Sequence, residues 1–271
     1  MIEFAVIQRE IRKRRFTLAE IIITSWHIFR RYFRVLFICA ICISLPLSVA
    51  RFLAKPYLVP VNNAIAAWAE RSIDTAKAAD PVMHEKLRKS VRAAAEGIDI
   101  TAFIATFFSI ISGMAALFIV NETLNGGKAS VRGALVKALR RWPFALGALV
   151  VFYIAVFAGL ICFIIPGIIL YINFAFAIEA ATLRNVSLVR ALTYSRSLVR
   201  GHWLDVFAFT IFLMMTGTLI SLLVLTPFMT APDNLISAAA STALIDVFSQ
   251  FVSVASGIYF LNLDFTRERY A

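Results

Sequence analysis

Three arginines in the stretch SLVRALTYSRSLVRGHW, namely Arg190, Arg196 and Arg200, have the type and spacing to bind phosphate groups. On a helical wheel they fall on one side of the stretch, and most of the apolar side chains fall on the other. A guanidinium group offers paired N–H donors that match the oxygens of a phosphate. The stretch therefore predicts a basic amphipathic helix that contacts a nucleic acid, a phosphorylated ligand or the headgroups of a membrane.

Two further basic stretches precede it, one ending near residue 31 and one near residue 141. A nucleic-acid site needs a dense basic surface with projecting aromatic residues, whereas these cations are spread over three short, partly lipid-facing helices. We therefore expect no nucleic-acid partner and expect anionic lipid headgroups, held either by general anchoring or by recognition of one phosphate. The candidate headgroup contacts are Arg30, Arg31, Arg140, Arg141, Arg190, Arg196 and Arg200.

Three acidic residues, Glu122, Glu179 and Asp264, lie where apolar runs return to basic segments. Each is close in sequence to the arginines of the next basic segment or of the tail. The pattern favours structural ion pairs that hold the end of a span to a neighbouring helix, and a ligand or proton site is the alternative.

Asp246 is different because it interrupts the last apolar run, with Gln250 one turn further on and Ser253 on a nearby face. An ionisable group inside a bilayer is costly and points to function. The alternative is that Asp246 stays wet or paired at the outer leaflet, since the turn at residues 232–234 lets the helix begin outside the membrane.

Catalytic motifs are absent from the sequence. There is no H-E-x-x-H, no G-x-S-x-G and no glycine-rich phosphate loop, and the chain has only three histidines and three cysteines. We expect a protein that is not an enzyme, with no metal and no cofactor.

The composition is that of a membrane protein. Hydrophobic residues make up 61% of the 271 residues and charged residues only 16%, whereas charged residues alone reach about a quarter in soluble domains. The mean hydropathy is +0.82. The net charge of +11 then belongs to loops that face anionic lipid.

Six apolar runs are long enough to cross a hydrocarbon core as helices, which takes about 20 residues. Pro166 and Gly167 divide the longest uncharged run into two spans, since proline ends or kinks a helix. The predicted spans cover residues 35–54, 100–120, two spans within 143–178, 204–227 and 236–263.

Basic residues alternate between the two sides of the membrane. Nineteen of the 27 Lys and Arg fall in residues 1–34, 121–142, 179–203 and 264–271, so both termini are expected in the cytoplasm. Residues 1–34 are a cytoplasmic basic segment with an interfacial helix. Residues 55–99 form an extracytoplasmic insertion, predicted to be a helical hairpin over 62–79 and 81–96, which offers a surface to a protein partner.

An internal repeat is suggested by three aromatic residues, Tyr32, Trp142 and Trp203, each followed 24 residues later by a proline that would stop its span. The prolines are Pro56, Pro166 and Pro227. The sequence therefore predicts an all-α polytopic membrane protein, a single integral domain over 1–271, with six transmembrane helices in three repeats of interfacial helix plus helical pair.

The segment from Ile164 to Trp203 resembles the membrane domain of bacterial glycerophosphoryl diester phosphodiesterases and related stand-alone inner-membrane proteins. The similarity also extends to the closing pattern of Tyr259, Asp264 and Arg267. The resemblance implies a six-helix module of the bacterial inner membrane without the soluble catalytic barrel. The matching positions are Pro166, Gly167, Glu179, Ala191, Leu192, Ser195, Leu198, Gly201 and Trp203.

Three functions follow as hypotheses. The first is a non-enzymatic, lipid-facing scaffold or accessory subunit, based on the three basic interfacial helices. The second is a transporter or permease with a site near Asp246 and Gln250, and an intramembrane enzyme comes third.

Overall fold

The computed structural model describes residues 4–75, 85–86, 88–90, 100–127, 129–186, 188–228 and 234–270. These residues are almost entirely α-helical and contain no β-strand. The helices are α1 (Phe4–Lys13), α2 (Leu18–Arg31), α3 (Phe33–Thr75), α4 (Ile100–Leu124), α5 (Val131–Cys162), α6 (Ile164–Asn173), α7 (Ala177–Leu183), α8 (Leu188–Val199), α9 (Trp203–Leu225) and α10 (Leu235–Tyr270).

Six helical segments are long and apolar enough to cross a membrane, which confirms the predicted fold class and number of spans. Large apolar side chains on them face outward, and Ile161 and Ile164 are 84% and 70% exposed. Lipid covers such surface, whereas water would penalise it. The spans are Phe33–Ala54, Phe107–Leu124, Val131–Ile161, Ile164–Leu183, Trp203–Phe228 and Leu235–Arg267.

The predicted hairpin between the third and fourth spans turns at one residue, Phe163, whose backbone is extended. The turn lies three residues before Pro166. Pro166 falls instead in the first turn of α6. Backbone N–H groups there have no hydrogen-bond partner within the helix, so proline, which lacks an N–H, is tolerated. Gly159 and Gly167 let the two helices approach closely, because a Cβ on Gly159 would lie 3.1 Å from the Cα of Gly167.

The first candidate span ends at Ala54, as the sequence predicts, but Pro56 does not end the helix. Helix α3 continues through Pro46, Pro56 and Pro60 to Thr75. An interior proline removes one backbone hydrogen bond and bends the helix. In a long helix such as α3, the helical turns before and after the proline keep their hydrogen bonds. The first helix of the predicted 55–99 hairpin is thus an extension of α3, and most of the second lies outside the described residues.

The second basic stretch is also not a separate interfacial helix. Ser130 caps α5, which then runs without a break through Trp142 and Pro143 into the third span. In the third basic stretch, α8 ends before its span because Gly201 adopts φ +86°, a conformation open to glycine but strained for other residues. The position two residues before Trp142 is Arg140 instead of a glycine, and α5 continues through it. The three-repeat arrangement stays a prediction.

Two compact units divide the chain, residues 1–45 with 109–271, and residues 46–108. The first unit is built around the C-terminal half of α10, where Ile258, Phe260 and Leu261 are fully buried. Helices α1, α2 and α9 pack on α10. The second unit contains the later part of α3, and the single-domain organisation stays a prediction.

The break between α6 and α7 inside the fourth span is closed by Ser195 of α8. The Ser195 hydroxyl donates to the carbonyl of Asn173 over 2.9 Å and accepts from the backbone N–H of Phe176 over 3.1 Å. Ser195 is fully buried. Backbone groups left without a partner at this depth would have no water to bond.

We expect the substitution Ser195→Ala to lower the free energy of unfolding by about 1–3 kcal/mol, because it leaves the Asn173 carbonyl and the Phe176 N–H unsatisfied. Thermal unfolding in detergent measures the effect. Ser197→Ala is the matched control, since the Ser197 hydroxyl bonds only a carbonyl of its own helix. Equal melting temperatures for the two variants would contradict this role of Ser195.

Candidate functional site

A cleft of about 1040 Å³ opens beside the end of α8. Arg196 in the last turn of α8 and Arg200 directly after that helix line it together with Arg267 near the end of α10. Arg15, in the turn between α1 and α2, and His202 complete the set of ionisable side chains in its wall. The fold thus gathers four arginines from three separate parts of the chain.

The charge of the cleft is of one sign in the part of the chain that the structure describes. All of its ionisable lining residues are basic, and Arg196, Arg200 and Arg267 are exposed. Clefts lined by one sign of charge concentrate counter-ions of the opposite sign. Arginine forks bind phosphate and carboxylate groups through paired hydrogen bonds, so the cleft is suited to a phosphate-bearing anion.

His202 lines the cleft as a neutral imidazole ring. Its Nδ1 lies 3.2 Å from an Nη of Arg15. Because a guanidinium only donates, Nδ1 accepts this hydrogen bond and the neutral ring carries its proton on Nε2. Burial and the charge of Arg15 lower the pKa of His202, and Asp205 opposes the shift.

The turn that carries Arg15 is held in place by Asn262 of α10. The Asn262 side chain donates to the carbonyls of Ile11 and Arg14, over 2.8 and 2.9 Å, and accepts from the backbone N–H of Phe16 over 2.8 Å. Asn262 is fully buried. One amide therefore satisfies three backbone groups in the turn from α1 to α2, where neither helix can supply partners.

The same turn is closed on its outer side by a capping box. Thr17 accepts from the backbone N–H of Glu20, and Glu20 accepts from the backbone N–H of Thr17. Both carboxylate oxygens of Glu20 also accept from Arg14, over 2.7 and 3.1 Å. Hydrogen bonds from Arg14 and then Thr17 lower the pKa of Glu20 to about 2. This carboxylate therefore stays ionised throughout the physiological range.

Arg267 lies over the ring of Tyr194, and Tyr194 is held by Asp264, the acidic residue predicted at the end of the last span. Asp264 accepts hydrogen bonds from Arg184 and from the hydroxyl of Tyr194. The guanidinium carbon of Arg267 lies 5.6 Å from the centre of the Tyr194 ring. Burial and the bond to Asp264 raise the pKa of Tyr194 to about 12, so the phenol remains protonated.

The other predicted ion-pair residues have different partners. Glu122 pairs with Lys137, which links α4 to the first part of α5. Glu179 is buried and accepts from the hydroxyl of Ser256, while its second oxygen has no hydrogen-bond partner in the described part of the chain. The predicted ion pair of Glu179 is therefore not formed among these residues, because the carboxylate points into the packed bundle.

Five of the predicted headgroup contacts lie away from the cleft. Arg30, Arg140 and Arg190 are exposed, and the guanidinium of Arg141 lies 5.7 Å from the ring centre of Phe144. Arg31 is exposed too. Of the seven predicted arginines, only Arg196 and Arg200 meet in the cleft.

Sequence reasoning missed Arg15, Arg267 and Asn262 as parts of the site. Asn262 is a polar residue within the apolar run IYFLNLDF, and an amide in such a run indicates a buried polar contact. Arg15 ends the run RKRR, in which nothing distinguishes one cation from the next. Only the packing of α1 and α2 on α10 selects it.

The predicted intramembrane polar group is buried. Asp246 is 6% exposed, so its side chain is not open to water, and its depth in the membrane stays a prediction. The side-chain N–H of Gln250 donates to the hydroxyl of Ser112 over 2.8 Å, and Ser253 bonds the carbonyl of Ser249. One oxygen each of Asp246 and Gln250 has no hydrogen-bond partner within the described residues.

No family model, curated protein or solved structure matches the chain. The resemblance to the phosphodiesterase membrane domain therefore stays a prediction.

We expect Asn262→Ala to lower the free energy of unfolding by about 2–4 kcal/mol, because three backbone groups of the turn lose their partner. The midpoint of thermal unfolding in detergent measures this loss. Asn125→Ala is the control, since Asn125 is exposed and water replaces its hydrogen bonds. Similar stabilities for the two variants would show that the turn does not depend on Asn262.

Proposed function

We propose that this chain is a multi-pass protein of a bacterial inner membrane that binds anionic phospholipid headgroups at the cationic cleft. It works as a lipid-facing scaffold or accessory subunit. The observation that carries the proposal is the convergence of Arg15, Arg196, Arg200 and Arg267 on one cleft whose described ionisable lining residues are all basic.

The depth of the cleft supports lipid as the source of the phosphate. Trp203 lines the cleft and is the first residue of the fifth span, while Arg267 is the last residue of the sixth. Tryptophan at the end of a span is typical of headgroup depth. Phosphates of the bilayer are therefore the anions most concentrated around these arginines.

The chemistry of the lining residues supports binding without catalysis. A guanidinium remains protonated in proteins and donates hydrogen bonds but does not accept protons. His202 is the lining residue best suited to proton transfer, and its Nδ1 is engaged by Arg15. Orientation with both termini in the cytoplasm belongs to the same proposal and rests on the basic segments.

We expect Arg196→Gln combined with Arg200→Gln to weaken phosphatidylglycerol binding about 30-fold or more, since each guanidinium that no longer donates to the bound phosphate costs at least about 1 kcal/mol. Native mass spectrometry of the full chain, titrated with phosphatidylglycerol or phosphatidylcholine, gives the affinities. The matched control is Arg30→Gln with Arg140→Gln, which removes the same charge away from the cleft. Equal losses in the two double variants would mean general attraction to the surface and would contradict a site.

We also propose a second candidate function, transport of a proton or a monovalent cation, supported by the unpartnered oxygens of Asp246 and Gln250 inside the bundle. Buried polar groups without partners are costly and often mark function.

In proteoliposomes with a pH or sodium gradient, wild-type protein would then dissipate the gradient and Asp246→Asn would not. Asp205→Asn is the control, because it neutralises an exposed carboxylate. A wild-type rate equal to that of empty vesicles would remove this candidate.

A further inference from the structure

A second pocket, of about 350 Å³, adjoins the cationic cleft. The two share Arg15, His202 and Leu263 in their linings. Beyond these shared residues the character of the wall changes, because the second pocket is lined mainly by apolar side chains. They include Leu18, Ile21, Ala208 and Phe209.

The apolar pocket lies deeper in the membrane than the arginines. Ala208 and Phe209 follow Trp203 by five and six residues on α9, which places them about 8 Å further along the span. Leu18 and Ile21 belong to the first turns of α2. The order from surface to interior is therefore cations first and apolar side chains second.

This order matches the order of groups in a phospholipid. We propose that the cleft and the adjoining pocket hold one individual phospholipid, with its phosphate on the arginines and part of an acyl chain between α2 and α9. The inference rests on the proposed headgroup binding and adds the chain to it. A chainless phosphate compound would fill the cleft and leave the apolar pocket unused.

Asp205 is the one carboxylate among the described residues of this pocket, and its side chain is 79% exposed. An exposed carboxylate stays in contact with water, so it belongs to the mouth of the pocket. Of the buried lining residues, Ile21, Phe209 and Leu263 are apolar, and Tyr259 is aromatic. Asn262 is polar, but its amide is engaged by the backbone of Ile11, Arg14 and Phe16. The part of the pocket nearest the core is thus suited to hydrocarbon.

The pocket adds selectivity more than affinity. Lipid chains already lie in an apolar medium, so moving one into an apolar pocket gains little hydrophobic free energy. The pocket instead decides which molecules can bring their phosphate to the arginines. Filling it should exclude long-chain lipids while leaving small phosphates able to bind.

The experiment compares two probes on the full chain in detergent, long-chain phosphatidylglycerol and glycerol 3-phosphate, by native mass spectrometry and calorimetry. Ala208→Phe is expected to weaken phosphatidylglycerol binding about tenfold or more through steric misfit, and to leave the affinity for glycerol 3-phosphate within about twofold. Thr218→Phe, which places a phenylalanine at another exposed position of α9 outside the pocket lining, is expected to change neither.

Three results separate the two proposals. Unchanged phosphatidylglycerol binding by Ala208→Phe would overturn the chain pocket and leave the headgroup site standing. Equal loss of both probes would also overturn it, because the substitution would then have damaged the headgroup site itself. If wild-type protein binds neither probe, the headgroup proposal fails as well.

A second measurement uses unmodified protein, in case Ala208→Phe does not fold. Phosphatidylglycerol with a photoreactive group on its acyl chain is expected to label residues 18–21 and 205–209, mapped by peptide mass spectrometry. Excess glycerol 3-phosphate should reduce this labelling. Labelling spread evenly over residues 211–225 of the lipid-facing surface, unaffected by the competitor, would overturn the inference.

Discussion

The side-chain amide of Asn262 is the interaction on which the basic end of the molecule depends. Inside a membrane helix, a buried amide has no water to bond, so it stays only where protein groups satisfy it. Here the groups are two carbonyls and one N–H of the turn between α1 and α2. The amide thereby fixes the N-terminal helices against α10, and with them the position of Arg15.

The same requirement explains how the fourth span tolerates a break. The chain leaves helical geometry between α6 and α7, and Ser195 bonds the backbone groups that the break frees. Because Ser195 belongs to α8, the bond also holds that helix against the span. Arg196, the next residue, is consequently presented to the cleft from a fixed helix. The hydrogen bonds that Ser195 makes to the backbone of the fourth span therefore also fix the position of Arg196.

Several residues on which the predicted resemblance to the phosphodiesterase membrane domain rests have structural roles in this fold. Gly167 allows the tight hairpin, Ser195 closes the helix break, and Gly201 ends α8 through its positive φ. Trp203 then begins the fifth span at the cleft. Each role concerns how helices meet near the ends of the spans.

The sequence by itself determined the membrane class, the six spans and the amphipathic character of α2 and α8, because these depend on local hydrophobicity and on a period of 3.6 residues. Only the tertiary structure decided that α3 continues past Pro56, that Asp246 is buried, and which arginines converge. This convergence brings Arg15 together with Arg196 and Arg267, which lie more than 180 positions later in the sequence. Its cause is the packing of α1, α2 and α8 around α10, and no local pattern records which buried amide or hydroxyl will close a distant turn.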